Sequence, residues 1–293
     1  MLQRDNDMKI DIVGSGTPSP APDRFGSCYV INIGQEKLMF DCGPSSTHKL
    51  IKMGIDITTI DNLFFTHHHY DHDVDYPCFM LTRWNLCKGG ENDLQVFGPN
   101  LTELITHRLM DKHEGAFAHD WIARINHPLS LNAFTSRGGI LPRPAPVVNA
   151  QDIGPGKVTS GPDWAITAAP AEHVEPWLDS LAYRIDSDQG SIVVTGDTRP
   201  CESVVNLSKN VDTMICLCTY IEDEADGTAE AEYMCGSTTA SKMAQEAGAK
   251  KLVLVHQTDV MDDTGETERA IKDISKHYDG EIVWGKELMS IDV

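Results

Sequence analysis

Asn62-Leu63-Phe64-Phe65-Thr66-His67-His68-His69-Tyr70-Asp71-His72 is the stretch on which the reading of this chain turns. An apolar, strand-like run feeds directly into four histidines and an aspartate with the spacing H-x-H-x-D-H. In extended backbone alternate side chains point the same way, so His67 and His69 can share one ion. A turn at Tyr70 can swing Asp71 and His72 toward a second. Imidazole and carboxylate are suitable donors for zinc, with manganese or iron(II) as alternatives. His68 falls outside the spacing and reads as a packing residue or a support for the ligands.

Further donors stand downstream in the same setting, each just past a strand-like run. His173 follows Trp164–Ala168, Asp197 follows Ser191–Val194, and His256 follows Lys251–Leu254. Taken singly, either histidine reads as an ordinary surface or core residue, and Asp197 as a turn or helix-capping aspartate. Their recurrence at strand exits is what joins them to the histidine run.

Working outward, short β-type runs punctuated by Gly, Pro, Asn or Asp recur at Lys9–Val13, Cys28–Ile33, Lys37–Asp41 and Leu94–Phe97. The rhythm returns at Leu181–Ile185, Thr213–Leu217 and Ile282–Trp284, now interleaved with helical patterns at Glu202–Lys209, Thr239–Ala247 and Thr267–His277. Strands alternating with helices indicate an α/β architecture. Leu101–Arg124 has helical spacing, and Asn126–Pro162, rich in Pro, Gly and Asn, has the composition of an irregular connector. One domain of two similar layers spanning residues 1–293, with an irregular insertion near 101–162, is the expected organisation.

The formal charge is −20, from 44 Asp plus Glu against 24 Lys plus Arg. A polyanion would meet this field unfavourably unless a local basic patch intervened, so nucleic acid is not the favoured partner. The eight cysteines contain no C-x-x-C pair, and so suggest buried thiols rather than a zinc knuckle or disulfide framework. Met1–Asp7 is polar, without the apolar core of a signal peptide, and no apolar run approaches membrane-spanning length. A cytoplasmic protein is the expectation.

Gly14-Ser15-Gly16-Thr17-Pro18, Phe40-Asp41-Cys42-Gly43, the H-x-H-x-D-H run, His173, Asp197 and His256 together resemble the metallo-β-lactamase superfamily. Within it, the likeness is to the tRNase Z-like branch that also contains metal-dependent arylsulfatases. The resemblance implies a four-layer αββα sandwich, which sharpens the looser α/β label. It also implies two metal ions: His67, His69 and His173 on the first, Asp71, His72 and His256 on the second, and Asp197 between them. Asp41 would hold the histidine loop, or else be a plain turn aspartate before Gly43. The Gly14-Ser15-Gly16 stretch lacks the lysine of a P-loop and reads as a tight turn.

Two adjacent cations lower the pKa of a water between them and stabilise charge growing on the attacked centre, which is the chemistry of hydrolysis. Asp71 is the candidate catalytic residue, orienting that water or taking its proton. The tRNase Z enzymes carry His-Glu-Ala-Thr and His-Ser-Thr motifs for proton transfer; the aligned stretches here are Cys216-Leu217-Cys218-Thr219 and Gly236-Ser237-Thr238. Asn126–Pro162 holds only three Lys or Arg residues, so the basic tRNA-gripping arm has no counterpart.

The expected function is therefore hydrolysis of a small ester-type substrate: a phosphodiester, an aryl sulfate, or a carboxylic ester or lactone. The alternative is a tRNase Z-like RNA 3′-processing endonuclease with altered proton-transfer residues, and a third reading is a metal-binding interaction protein. Tyr70, Trp177 and Tyr220 are either substrate contacts or core side chains. Tyr76–Leu86 is either the packing face of a homodimer, which the resemblance implies, or an ordinary buried helix.

Overall fold

A computed structural model describes residues 8–19, 21–222 and 228–293. The polar stretch Met1–Asp7 lies outside the described residues. Within them the strands form two seven-stranded sheets. The first has the order β14 (Met289–Asp292), β1 (Lys9–Ser15), β2 (Ser27–Ile33), β3 (Glu36–Phe40), β4 (Ile60–Phe64), β5 (Leu94–Gly98) and β6 (Val148–Asp152). The second has the order β13 (Glu281–Trp284), β12 (Lys251–Val255), β11 (Thr213–Leu217), β10 (Gly190–Val194), β9 (Leu181–Ser187), β8 (Trp164–Pro170) and β7 (Gly156–Ser160).

The two sheets are built to one plan. Antiparallel pairings join β14, β1, β2 and β3, and parallel ones join β3, β4, β5 and β6. In the other sheet β7 to β10 are antiparallel and β10 to β13 parallel. The period-2 alternation of strands sorts their side chains into layers. Ile10, Ile12, Ile31, Phe40 and Phe64 from one sheet meet Ile166, Tyr183, Ile192, Val194 and Val253 from the other in a shared core.

The outward faces are covered by helices, which completes the αββα order. Val30, Met39, Leu63 and Val96 pack under α1 (Ser46–Lys52), α3 (Tyr76–Leu86) and α5 (Ala118–Asn126). Val193, Met214, Leu252 and Leu254 pack under α7 (Glu202–Leu207), α8 (Ser237–Ala247) and α9 (Glu266–Ile274). Further helices among the described residues are the single turn α2 (Tyr70–Asp73), α4 (Thr102–Met110) and α6 (Pro128–Ser136).

The connector expected to be irregular contains α6 and both β6 and β7, which are the outermost strands of their sheets. Val-Asn-Ala-Gln-Asp and Gly-Lys-Val-Thr-Ser are mostly exposed, so they lack the apolar alternation that marks inner strands. α3 buries Tyr76, Phe79, Met80 and Trp84 within the chain, which removes those side chains from any face offered to a second copy. Six cysteines are buried, Cys78 is exposed, and all eight are free thiols. Among the described residues no helix is long and apolar enough to cross a membrane.

Candidate metal centre

The histidine run leaves the sheet at a point fixed on both sides. The Phe64 ring stacks on Phe40 and Phe97, with centroids 5.0 and 5.2 Å away. The Asp41 amide donates to the Phe64 carbonyl, and the Phe65 amide to the Phe97 carbonyl, both at 2.8 Å. Buried Asp41 then accepts from the Thr66 amide at 2.7 Å, from Thr66 Oγ1 at 2.9 Å and from His72 Nδ1 at 2.8 Å. A single helical turn beginning at Tyr70 brings His72 back under its own loop, its amide donating to the His69 carbonyl.

Gly43 lets this loop come close. A Cβ there would stand 2.1 Å from the Asp71 carbonyl oxygen and 2.6 Å from the Ser27 amide nitrogen, so any side chain would force the histidine loop away. The neighbouring Cys42 amide donates to the His72 carbonyl, and the Asp75 amide donates back to Cys42. Asp41-Cys42-Gly43 is thus the seat of the loop.

The other donors arrive from the second sheet. His173 follows β8, Asp197 follows β10 and His256 follows β12, in line with the strand exits read from the sequence. Two groups result, the donor atoms within each lying inside 4.8 Å of one another: His67, His69 and His173; and Asp71, His72, Asp197 and His256. His69 Nδ1 is 3.1 Å from His67 Nε2 and 3.2 Å from His173 Nε2. Asp197 lies between the groups, its carboxylate 3.1 Å from His256 Nε2, 3.5 Å from His72 Nε2 and 3.9 Å from His173 Nε2.

The hydrogen bonds behind the rings decide what their facing atoms are. His67 Nδ1 meets Thr66 Oγ1 at 3.0 Å, His72 Nδ1 meets Asp41, and His173 Nδ1 meets the Tyr233 carbonyl at 3.2 Å. With protons placed there, the Nε2 atoms present lone pairs inward, the tautomer that a metal-ligating histidine needs. Both Asp71 oxygens and the Nε2 atoms of His72 and His256 are buried without a hydrogen-bond partner. Orphaned buried acceptors converging this way fit a cation, and the cluster has the donor types that could hold a divalent metal ion.

The electrostatics agree with a centre built for positive charge. Burial, then the neighbouring imidazole of His72, holds His67 well below its ordinary pKa; burial, then the His173 imidazole, lowers His69. Burial alone would also lower His72 and His256, but Asp197 and Asp71 outweigh it and raise both, His256 to about 9. Asp71 and Asp197 are held low against their burial by those two histidines.

His68, outside the spacing, packs against Phe65 and bridges Asp73 and Thr102 at the start of α4, tying the insertion to the site. Tyr220 is half-buried and its hydroxyl donates to the Met234 carbonyl. Tyr70 and Trp177 are 53% and 89% exposed, so neither is a core side chain. At the second motif, a Cβ on Gly236 would lie 2.3 Å from the Tyr220 ring and 2.4 Å from the Glu222 carboxylate. The space a histidine would need there is occupied. At the first motif Thr219 Oγ1 lies 3.4 Å from His256 Nδ1.

Arg24 had no signal in the sequence beyond being a lone cation in a Pro-rich loop. It is buried, and its Nη1 donates to Ser15 Oγ, Gln257 Oε1 and the Gly285 carbonyl at 2.8, 2.6 and 2.8 Å. Its Nε and Nη2 engage Asp262. The Gly14–Pro18 turn is thereby fastened to the loop that carries His256, which also bridges to it through Gly16 and Gln257.

Two family models match the chain: the anti-Pycsar protein Apyc1 model over residues 8–84 and the beta-lactamase superfamily domain over residues 122–257. Among curated proteins, a ribonuclease Z of Mycobacterium bovis is 26% identical over 298 residues, covering 98% of each chain. Among solved structures, the metallo-beta-lactamase fold protein YhfI of Bacillus subtilis superposes with a TM-score of 0.73 at 21% identity, covering 98% of this chain and 100% of that one. The short form of human tRNase Z gives 0.67 at 18% identity, covering 97% and 98%.

The full-length likeness to ribonuclease Z overturns the expectation that nucleic acid is disfavoured, and it supports the tRNase Z-like alternative better than a small ester-type substrate. That expectation rested on the −20 total and the missing basic arm. A net charge is a sum over the whole surface, whereas a phosphate responds to the local field of the cleft. There Asp71 and Asp197 count as two negative charges only until cations sit between them.

Proposed function

We propose that the chain is a hydrolase of the metallo-β-lactamase superfamily that cleaves a phosphodiester of RNA as a ribonuclease Z-like endonuclease. The observation that carries the reading is the pair of converging donor groups, set in a chain that aligns with ribonuclease Z over nearly its whole length. His67, His69 and His173 would hold one divalent cation and Asp71, His72 and His256 a second, with Asp197 lying between the two groups. Zinc suits this nitrogen-rich set best, with manganese or iron(II) as alternatives. The cytoplasm, where RNA is processed, is its proposed location.

When bound, such a pair of cations supplies Lewis acidity to the phosphate and makes water acidic enough to attack near neutral pH. The chain's own residues do the rest. Asp71, with both oxygens free of hydrogen bonds, orients the attacking water and takes its proton. Asp41 fixes the Nδ1 proton of His72 and Thr66 that of His67, so neither ring can rotate away. Cys216, Leu217 and Gly236 present neither histidine nor glutamate, so the departing oxygen draws its proton from a source other than the tRNase Z relay.

The test is metal quantitation of purified protein together with cleavage of a precursor tRNA bearing a 3′ trailer. Two equivalents of metal per chain and endonucleolytic release of the trailer are expected, and His69→Ala is expected to lose both metal and cleavage. Metal-replete protein that leaves the RNA intact would refute the reading.

A further inference from the structure

Trp177 is the most exposed of the large apolar side chains among the described residues, at 89%, and it follows the donor His173 by four residues. It belongs to the loop between β8 and β9, whose base is closed by the Ala171 amide on the Ser180 carbonyl at 3.0 Å. The base is tied to the histidine run by the Leu181 amide on the Thr66 carbonyl at 2.9 Å. Inside the loop the Glu175 carboxylate accepts from the His173 amide at 2.9 Å, and the Trp177 amide donates to the Val174 carbonyl at 3.1 Å. A turn of that kind keeps the Trp177 α-carbon within about 7 Å of that of Val174, the residue next to His173.

The charges around it narrow its use. The loop carries Glu172, Glu175 and Asp179 and no lysine or arginine. The nearby Arg199 is already paired with Glu172, at 2.7 Å. A strand of RNA gains nothing here from the release of counterions by basic side chains. What the loop offers is an uncharged π-face, and stacking is the interaction every nucleobase can make with it.

We propose that Trp177 is the stacking platform for a nucleobase flanking the scissile phosphodiester, a role that rests on the RNA-cleaving function proposed above. Stacking holds the nucleotide next to the metal centre where the acidic loop cannot, and it is indifferent to base identity. The indole touches substrate but takes no part in proton transfer, so its removal acts on binding.

The test couples the side chain to the base. Precursor tRNAs with a single abasic nucleotide at successive positions on either side of the cleavage point are compared on wild-type protein, Trp177→Ala and Trp177→Phe. For intact RNA, Trp177→Ala is expected to raise KM about tenfold with kcat and Tm nearly unchanged, and Trp177→Phe to keep most of the affinity. At one flanking position the abasic substitution should cost wild type a similar factor and cost Trp177→Ala nothing further. An abasic penalty of equal size in wild type and Trp177→Ala at every position would overturn the proposal while leaving RNA cleavage standing. Wild-type protein that cleaves none of these RNAs would remove the function on which it rests.

Discussion

Asp41 shows how much of this centre depends on residues that do not face the metals. It is buried, sits at a φ of +58°, and spends its carboxylate on Thr66 and His72. Asparagine tolerates the same left-handed backbone but cannot accept from both with two anionic oxygens. Asp41→Asn is expected to weaken divalent-metal affinity by about 10- to 100-fold, measured by competition with a chromophoric chelator. Asp262 is the comparable case behind His256: burial raises its pKa, but Arg24 outweighs this and leaves it below its ordinary 3.8. A carboxylate depressed on folding adds stability above its unfolded pKa and loses it as pH falls through the folded value. Asp262→Asn should therefore lower Tm at pH 7, and the gap from wild type should close below about pH 4. The donor histidines could be read from the sequence because spacing records which side chains leave a strand together. Arg24 could not, since its partners Ser15, Gln257, Asp262 and Gly285 are scattered and only the fold collects them.

At the scale of elements, the strands that carry ligands were legible and the flanking ones were not. β12, which leads to His256, coincides with the apolar run Lys251–Val255 because a parallel strand buried on both faces is apolar throughout. β6 and β7 are edge strands with polar, exposed residues, so their composition is that of a loop. The seat of the histidine loop is likewise visible only in three dimensions. Gly43→Ala pushes a methyl against the Asp71 carbonyl and the Ser27 amide, both backbone atoms that cannot rotate aside. It is expected to cost about 1–3 kcal/mol in urea unfolding and to weaken metal binding in parallel. Unchanged metal affinity in a destabilised variant would show that the loop seats independently of this contact.

Across the whole molecule, the layer order followed from the alternation of strands and helices together with the family resemblance, while the substrate did not follow from total charge. The proposed ligands come from both sheets: four from the loop after β4, and three from the exits of β8, β10 and β12. The covalent link between the sheets is less even-handed, since β6 passes to β7 through Ile153-Gly154-Pro155 while the C-terminal β14 returns to pair with β1. Each half of the chain thus lends a strand or a proposed ligand to the other, and cations held there would act as rivets across a seam. A protein divided at Gly154 and supplied as two polypeptides should behave as a metal-gated split enzyme. Its fragments should co-elute and recover activity when zinc is added, and should part when the zinc is chelated.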